Sequence, residues 1–210
     1  MDIDEFWQLI DSAREVSGPQ RPFDEALVEL LAARPEAEIL AYEAHFDRLH
    51  AAVYRWDLWA AAYLVGGGCS DDSFMDFRAG LIAQGRTWYE RAAADPDALA
   101  DHPAMAGDGA QAEELFFYED VNYAASYAYQ RRTGDRGRFE AEYRAHLERH
   151  GLQVRESDED LGEDFDFDDE DEMHRRLPRL AAVFLTDDDP DEDDPDGDDV
   201  DDDASADDED

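Results

Sequence analysis

The stretch from Tyr54 to Arg78, YRWDLWAAAYLVGGGCSDDSFMDFR, constrains the fold more than any other part of the chain. An aromatic, apolar helix runs into three consecutive glycines and the only cysteine, then restarts on Ser70-Asp71-Asp72-Ser73. Glycine alone enters the left-handed capping conformation without penalty, and three together cannot hold a helix, so the first helix stops there. Ser70 and Asp71 are both good N-caps, and Asp72 adds negative charge at a positive helix end, so a second helix starts at once. The joint turns the chain so that Trp56, Tyr63, Phe74 and Phe77 can share one core.

Upstream, the series Ile39, Tyr42, Phe46, Leu49, Val53, Trp56, Ala60, Tyr63 alternates steps of three and four without a miss. That spacing lines one face of a single long helix. From Ala51 a second stripe, Ala52, Leu58, Trp59 and Ala62, widens the apolar surface, which makes the second half of this helix the expected centre of the core.

The flanking segments read as further helices. Asp2 and Glu5 make a capping-box start, with Phe6, Leu9, Ile10 and Ala13 at helical spacing before Gly18-Pro19. Phe23 to Ala33 is a short helix, Asp95-Pro96-Asp97 an N-cap followed by proline at the first helical position, and 100–111 a loop. Ala112 to Arg132 and Arg136 to His150 complete the compact part. No segment alternates cleanly with period two, so the expected fold class is all-α: a compact multi-helix domain around a long central helix.

Charge divides the chain. The formal net charge is -40, and the residues from Glu156 onward hold 29 acidic side chains against three arginines, a net −26. Within this acidic stretch Met173 to Leu185, MHRRLPRLAAVFL, is an apolar and basic island that a disordered tail has no reason to contain. The expected organisation is a helical domain over 1–186, with core 1–151, an acidic loop 152–172 carrying Phe165 and Phe167 over an apolar seam, and a docked short helix 173–186. A disordered acidic tail over 187–210 follows.

Such a field repels nucleic acid and anionic lipid and favours a basic protein partner. No apolar run reaches the roughly 18 residues of a membrane span. A single cysteine forms no internal disulfide, and the acidic start MDIDEFWQLID lacks the features of a signal peptide, so a cytoplasmic location is expected. Oligomeric state is not encoded in any of these features.

The chain resembles the bacterial domain-of-unknown-function family 4240 (DUF4240). The resemblance rests on Phe6-Trp7-x-Leu9-Ile10, Trp56-x-Leu58-Trp59-Ala60-Ala61-Ala62-Tyr63, Gly67-Gly68-Cys69-Ser70-Asp71-Asp72-x-Phe74-x-Asp76-Phe77-Arg78 and Asp95-Pro96-Asp97. It covers residues 1–150, and reaches 186 through Leu177-Pro178-Arg179-Leu180. Where the family places an aromatic after Phe77-Arg78 this chain has Ala79-Gly80, which is expected to open the packing there. The resemblance implies no reaction, cofactor or catalytic residue.

Chemistry must then come from the residues. Cys69, Ser70, Asp71 and Asp72 place a thiol, a hydroxyl and two carboxylates at a helix N-terminus, and Asp76 and Arg78 complete a candidate functional turn. A helix dipole lowers a thiol pKa and adjacent carboxylates raise it, so the turn reads either as a nucleophile or metal site or as capping alone. His146 and His150, four apart, form either half of a metal site without a third ligand or a cationic helix end. Glu192, Asp194, Asp196, Gly197 and Asp203 match calcium-loop positions, but Pro195 intrudes and no helices flank them. No catalytic residue, metal site or cofactor is assigned. The function expected is that of an acidic interaction or accessory protein engaging a basic partner; the alternative is an enzyme or metal-binding protein using the Cys69–Asp72 turn.

Overall fold

The computed structural model describes residues 1–107, 109, 111–153 and 161–185. The acidic tail and the calcium-loop positions lie outside the described residues. Within them the chain is all-α, with eleven α-helices and no strand.

Helix α1 (Ile3–Val16) starts on the reciprocal Asp2/Glu5 capping box and buries Phe6, Trp7, Leu9, Ile10 and Ala13. Helix α2 (Phe23–Ala32) packs against α1 and against the later α8 (Ala124–Thr133). The apolar series from Ile39 to Tyr63 is carried by two helices, α3 (Glu36–Ala52) and α4 (Trp56–Gly66), where the spacing alone predicts one. No glycine or proline causes the break. Arg55 is extended at φ −145°, and its guanidinium holds both oxygens of Asp57 (2.9 and 3.0 Å) and the Ala93 carbonyl (2.9 Å). The Trp56 amide, freed from the helix ladder, donates to the Leu161 carbonyl at 3.0 Å. Long-range bonds thus override local periodicity, and both helices keep their apolar faces inward. Six residues of α4 are buried, Leu58, Ala60, Ala61, Ala62, Leu64 and Val65, in keeping with a place at the centre of the core.

Helix α5 (Asp71–Ala83) follows the glycine joint, α6 (Arg86–Ala94) follows Gly85, and Asp95 caps a 3-10 helix, Pro96–Asp101. The segment 100–111, expected as a loop, contains a second 3-10 turn at Pro103–Met105 capped by His102. The helix expected from Ala112 to Arg132 is broken into α7 (Ala112–Phe116), a 3-10 turn (Glu119–Tyr123) and α8. The break occurs where Tyr118 leaves the ladder: its amide donates to the Asp76 carbonyl and its hydroxyl to the Asp24 carboxylate at 2.7 Å.

The Ala79-Gly80 pair does not open the packing. Both residues are buried, and a Cβ on Gly80 would stand 1.9 Å from the Phe116 carbonyl oxygen, so the end of α7 lies directly against the backbone of α5. Glycine here permits a helix-to-backbone approach that any side chain would block.

Helix α9 (Phe139–His150) packs on α3, with Tyr143 bonded to Asp47 at 2.6 Å. After the acidic stretch, α10 (Glu170–Arg176) and α11 (Pro178–Phe184) bury Met173, Leu177, Leu180 and Ala181. Helix α11 lies on α4 and on 96–101, where the buried Asp97 carboxylate accepts the Arg179 and Leu180 amides at 3.0 and 2.9 Å. Phe167 rests on Trp56 and Tyr63 at 6.0 and 5.5 Å, and the Tyr63 hydroxyl donates to Asp168.

Candidate functional site

The glycine joint is built as its residues dictate. Helix α4 ends on Gly67 in the left-handed region, φ 59°, and Gly68 follows at φ 130°, a conformation open to few other residues. The Gly68 amide returns to the Tyr63 carbonyl at 2.9 Å and closes the cap. The Trp59 indole N–H donates to the Cys69 carbonyl at 3.0 Å, and its ring stacks between Trp56 and Phe74 at 5.3 and 4.7 Å. Trp59 thereby fixes the distance between the end of α4 and the start of α5.

Five of the six candidate residues, all but Asp72, are hydrogen-bonded to a neighbour. Ser70 caps α5, its hydroxyl accepting the Ser73 amide at 3.2 Å and lying 3.0 Å from the Ser73 hydroxyl. Asp71 accepts the Tyr54 hydroxyl at 3.1 Å, and Asp72 stands exposed in the first turn. Asp76 accepts from the Asn122 amide at 3.0 Å, and partial burial raises its carboxyl, with Glu119 and Asp72 adding to the effect. The Cys69 thiol sits 3.6 Å from the Ser70 carbonyl oxygen. Burial pushes it up to about 12, and Asp71 and Asp76 reinforce burial against the opposing Trp59 N–H and Arg78. A thiol in that state is protonated at neutral pH and makes a poor nucleophile.

Arg78 is the most deeply placed member of the set, 8% exposed. Its guanidinium donates to the His50 carbonyl and Nδ1, both at 3.1 Å, while its Nε reaches the Phe74 carbonyl at 3.3 Å. It also lies 4.5 Å over the Tyr54 ring and 5.0 Å from the Phe74 ring. Burial lowers it to about 10, which leaves it a cation at neutral pH. Because Nδ1 of His50 accepts from Arg78, Nε2 carries the proton and donates to the Met75 carbonyl at 2.9 Å. Burial, then the Arg78 charge, lowers His50 to about 4. Arg78 and His50 therefore tie the C-terminal end of α3 to α5, with Nε and Nη1 of the guanidinium committed to protein acceptors.

His50 was not visible to sequence reasoning. It lies 28 positions from Arg78, and no local pattern links them. The His146 and His150 rings stand 4.4 Å apart, but His146 is 5% exposed and burial pushes its imidazole down. Of the pair read as either half a metal site or a cationic helix end, α9 buries His146 against α3, and only His150 stays exposed at the helix end. Among the described residues no three His, Cys, Asp or Glu side chains are grouped so as to hold a metal ion.

A family model described as a protein of unknown function, DUF4240, matches residues 1–131, and the chain belongs to that family. The match contains the whole glycine joint and stops short of Leu177–Leu180. No curated protein and no solved structure matches the chain.

Proposed function

We propose that this DUF4240 protein is an acidic interaction or accessory protein that engages a basic protein partner. One observation carries the reading. Nine arginines of the described residues are already paired with the chain's own carboxylates, while 58 acidic residues face 18 arginines overall. The surplus is left for solvent or for a cationic partner, and it disfavours nucleic acid and anionic membranes. In this reading residues 1–186 carry the helical domain, and 187–210 extend its negative surface. The Cys69–Arg78 turn serves to join α4 and α5; the raised thiol and the burial of Arg78 against His50 speak against catalysis there. The free Cys69 thiol supports a cytoplasmic location.

The test is affinity capture from the host lysate, followed by titration of the identified partner onto the purified chain across a salt series, with and without residues 187–210. A basic partner whose affinity falls steeply with salt and weakens on tail deletion is expected. A partner that is neutral or acidic, or whose binding is indifferent to salt, refutes the reading.

A further inference from the structure

A cavity of about 480 Å³ opens between α3 and α9 on the opposite side of α3 from the glycine joint's contacts with His50. Its wall reverses the chemistry of the rest of the surface. His45 and Arg48 enter from α3 and His146 and His150 from α9, and the only carboxylate on the wall, Glu38, is held by Arg34 at 3.1 Å. Among the described residues Arg48 has no carboxylate partner; its guanidinium reaches only the His45 Nδ1, at 3.2 Å. His45 in turn donates through Nε2 to the Met1 carbonyl, which fixes its tautomer with Nδ1 as acceptor.

His146 supplies a second, independent observation. It is 95% buried on this wall, and its Nδ1 meets no hydrogen-bond partner. Buried polar atoms are almost always paired, so an unpaired imidazole nitrogen on a residue of the cavity wall points to a group that is bound there once a turn of the ring presents it. Most of the remaining surface is apolar, from Ala41 and Ala44 of α3 to Leu147 and the half-exposed Leu152, with Tyr143 and Gln153 as its other polar members.

We propose that this cavity binds a small organic monoanion, a carboxylate borne on a short apolar body. Arg48 supplies a permanent positive charge without a carboxylate partner, whereas the Met1 ammonium beside it is shared with Glu5 at 3.9 Å, and His146, once its ring turns to present Nδ1–H, donates to a carboxylate oxygen. The alanine face and Leu147 cover the apolar body. A bare inorganic anion would leave the apolar part of the wall uncovered. Pockets of this kind, mostly apolar with a few placed polar groups, are the ordinary form of small-molecule sites.

The test is a titration of the full chain with sodium hexanoate as probe, read by calorimetry and by the imidazole resonances of His146. Hexylammonium, inorganic phosphate and zinc are run as parallel arms. Saturable hexanoate binding that moves the His146 signals is expected, with hexylammonium silent. Arg48→Gln weakens binding about tenfold or more, the loss of a charge-assisted contact, and leaves the melting temperature unchanged because Arg48 is exposed. His146→Gln also weakens it. Equal binding of hexylammonium, tighter binding of phosphate or zinc than of hexanoate, an Arg48→Gln variant with wild-type affinity, or no saturable response to hexanoate would each overturn the assignment.

Discussion

Alanine at Gly80 sets two effects of opposite sign against each other. In an exposed helix interior glycine costs about 1 kcal/mol relative to alanine, so propensity alone makes Gly80→Ala stabilising. In α5 the new Cβ would lie 1.9 Å from the Phe116 carbonyl oxygen, 2.5 Å from its carbon and 2.9 Å from its Cα, all backbone atoms that no rotamer change can move. Ordinary contact begins near about 3.5 Å, so the end of α7 must retreat by roughly 1.5 Å. Phe116 is fully buried, stacked on Phe77 at 5.6 Å and edge-on to His102 at 5.0 Å, and the retreat opens both contacts. Overpacking of this kind costs about 1–3 kcal/mol, with the upper end expected where backbone is the obstacle. After the propensity gain is subtracted, the net loss is about 2 kcal/mol, or a fall in Tm of roughly 4–8 °C for a domain of this size. Equilibrium urea unfolding measures it as a lower midpoint at unchanged m-value. A higher midpoint, worth about 1 kcal/mol, would refute the close approach of α7 to α5.

Four other changes probe the same framework. Arg78→Met leaves the His50 carbonyl and Nδ1 without their donor and is expected to cost about 3 kcal/mol or more in urea unfolding; Arg78→Lys recovers less than half, since a single ammonium cannot reproduce the fork. The depressed His50 value makes stability pH-dependent: the unfolded chain binds the proton first, so the contribution of His50 is fully present above about pH 6.5 and is lost as pH falls toward about 4. The loss amounts to about 3 kcal/mol, and His50→Gln, which keeps a donor for Met75, flattens the stability slope in that window when unfolding is measured pH by pH. Asp97→Ala removes the acceptor of two α11 amides and lowers stability by about 1–2 kcal/mol. Truncation after residue 169 lowers Tm further than Asp97→Ala, because it also uncovers the groove filled by Met173, Leu177 and Leu180.

What the sequence made legible was local. The capping box at Asp2, the glycine stop at Gly67, the Ser70 cap and the Asp95-Pro96 start are each determined by residues within a few positions, and each forms where its chemistry places it. The breaks at Val53–Arg55 and Phe117–Tyr118 were not legible, because Arg55 is drawn out by Ala93 and the Tyr118 amide by Asp76, partners far along the chain. The same limit applied to the glycine joint. Its residue types suggested a thiol poised between a dipole and carboxylates, whereas burial, a property of the packed core, dominates Cys69. Gly80 is the sharpest case: the exchange of an aromatic for a small pair looked like lost packing, and the structure fills the space with backbone from α7.

The most direct test of the joint's structural role is the pH profile of Cys69 alkylation by iodoacetamide. An ordinary cysteine thiol ionises near about 8.5, and an activated one lies lower, between about 3.5 and 7.5. With the thiol pushed up to about 12, the rate should be slow at neutral pH and should keep climbing through the alkaline range without a plateau. A fast reaction that levels off below about pH 7.5 would mean an activated thiolate, and the Cys69–Arg78 turn would then have to be read as a reaction centre.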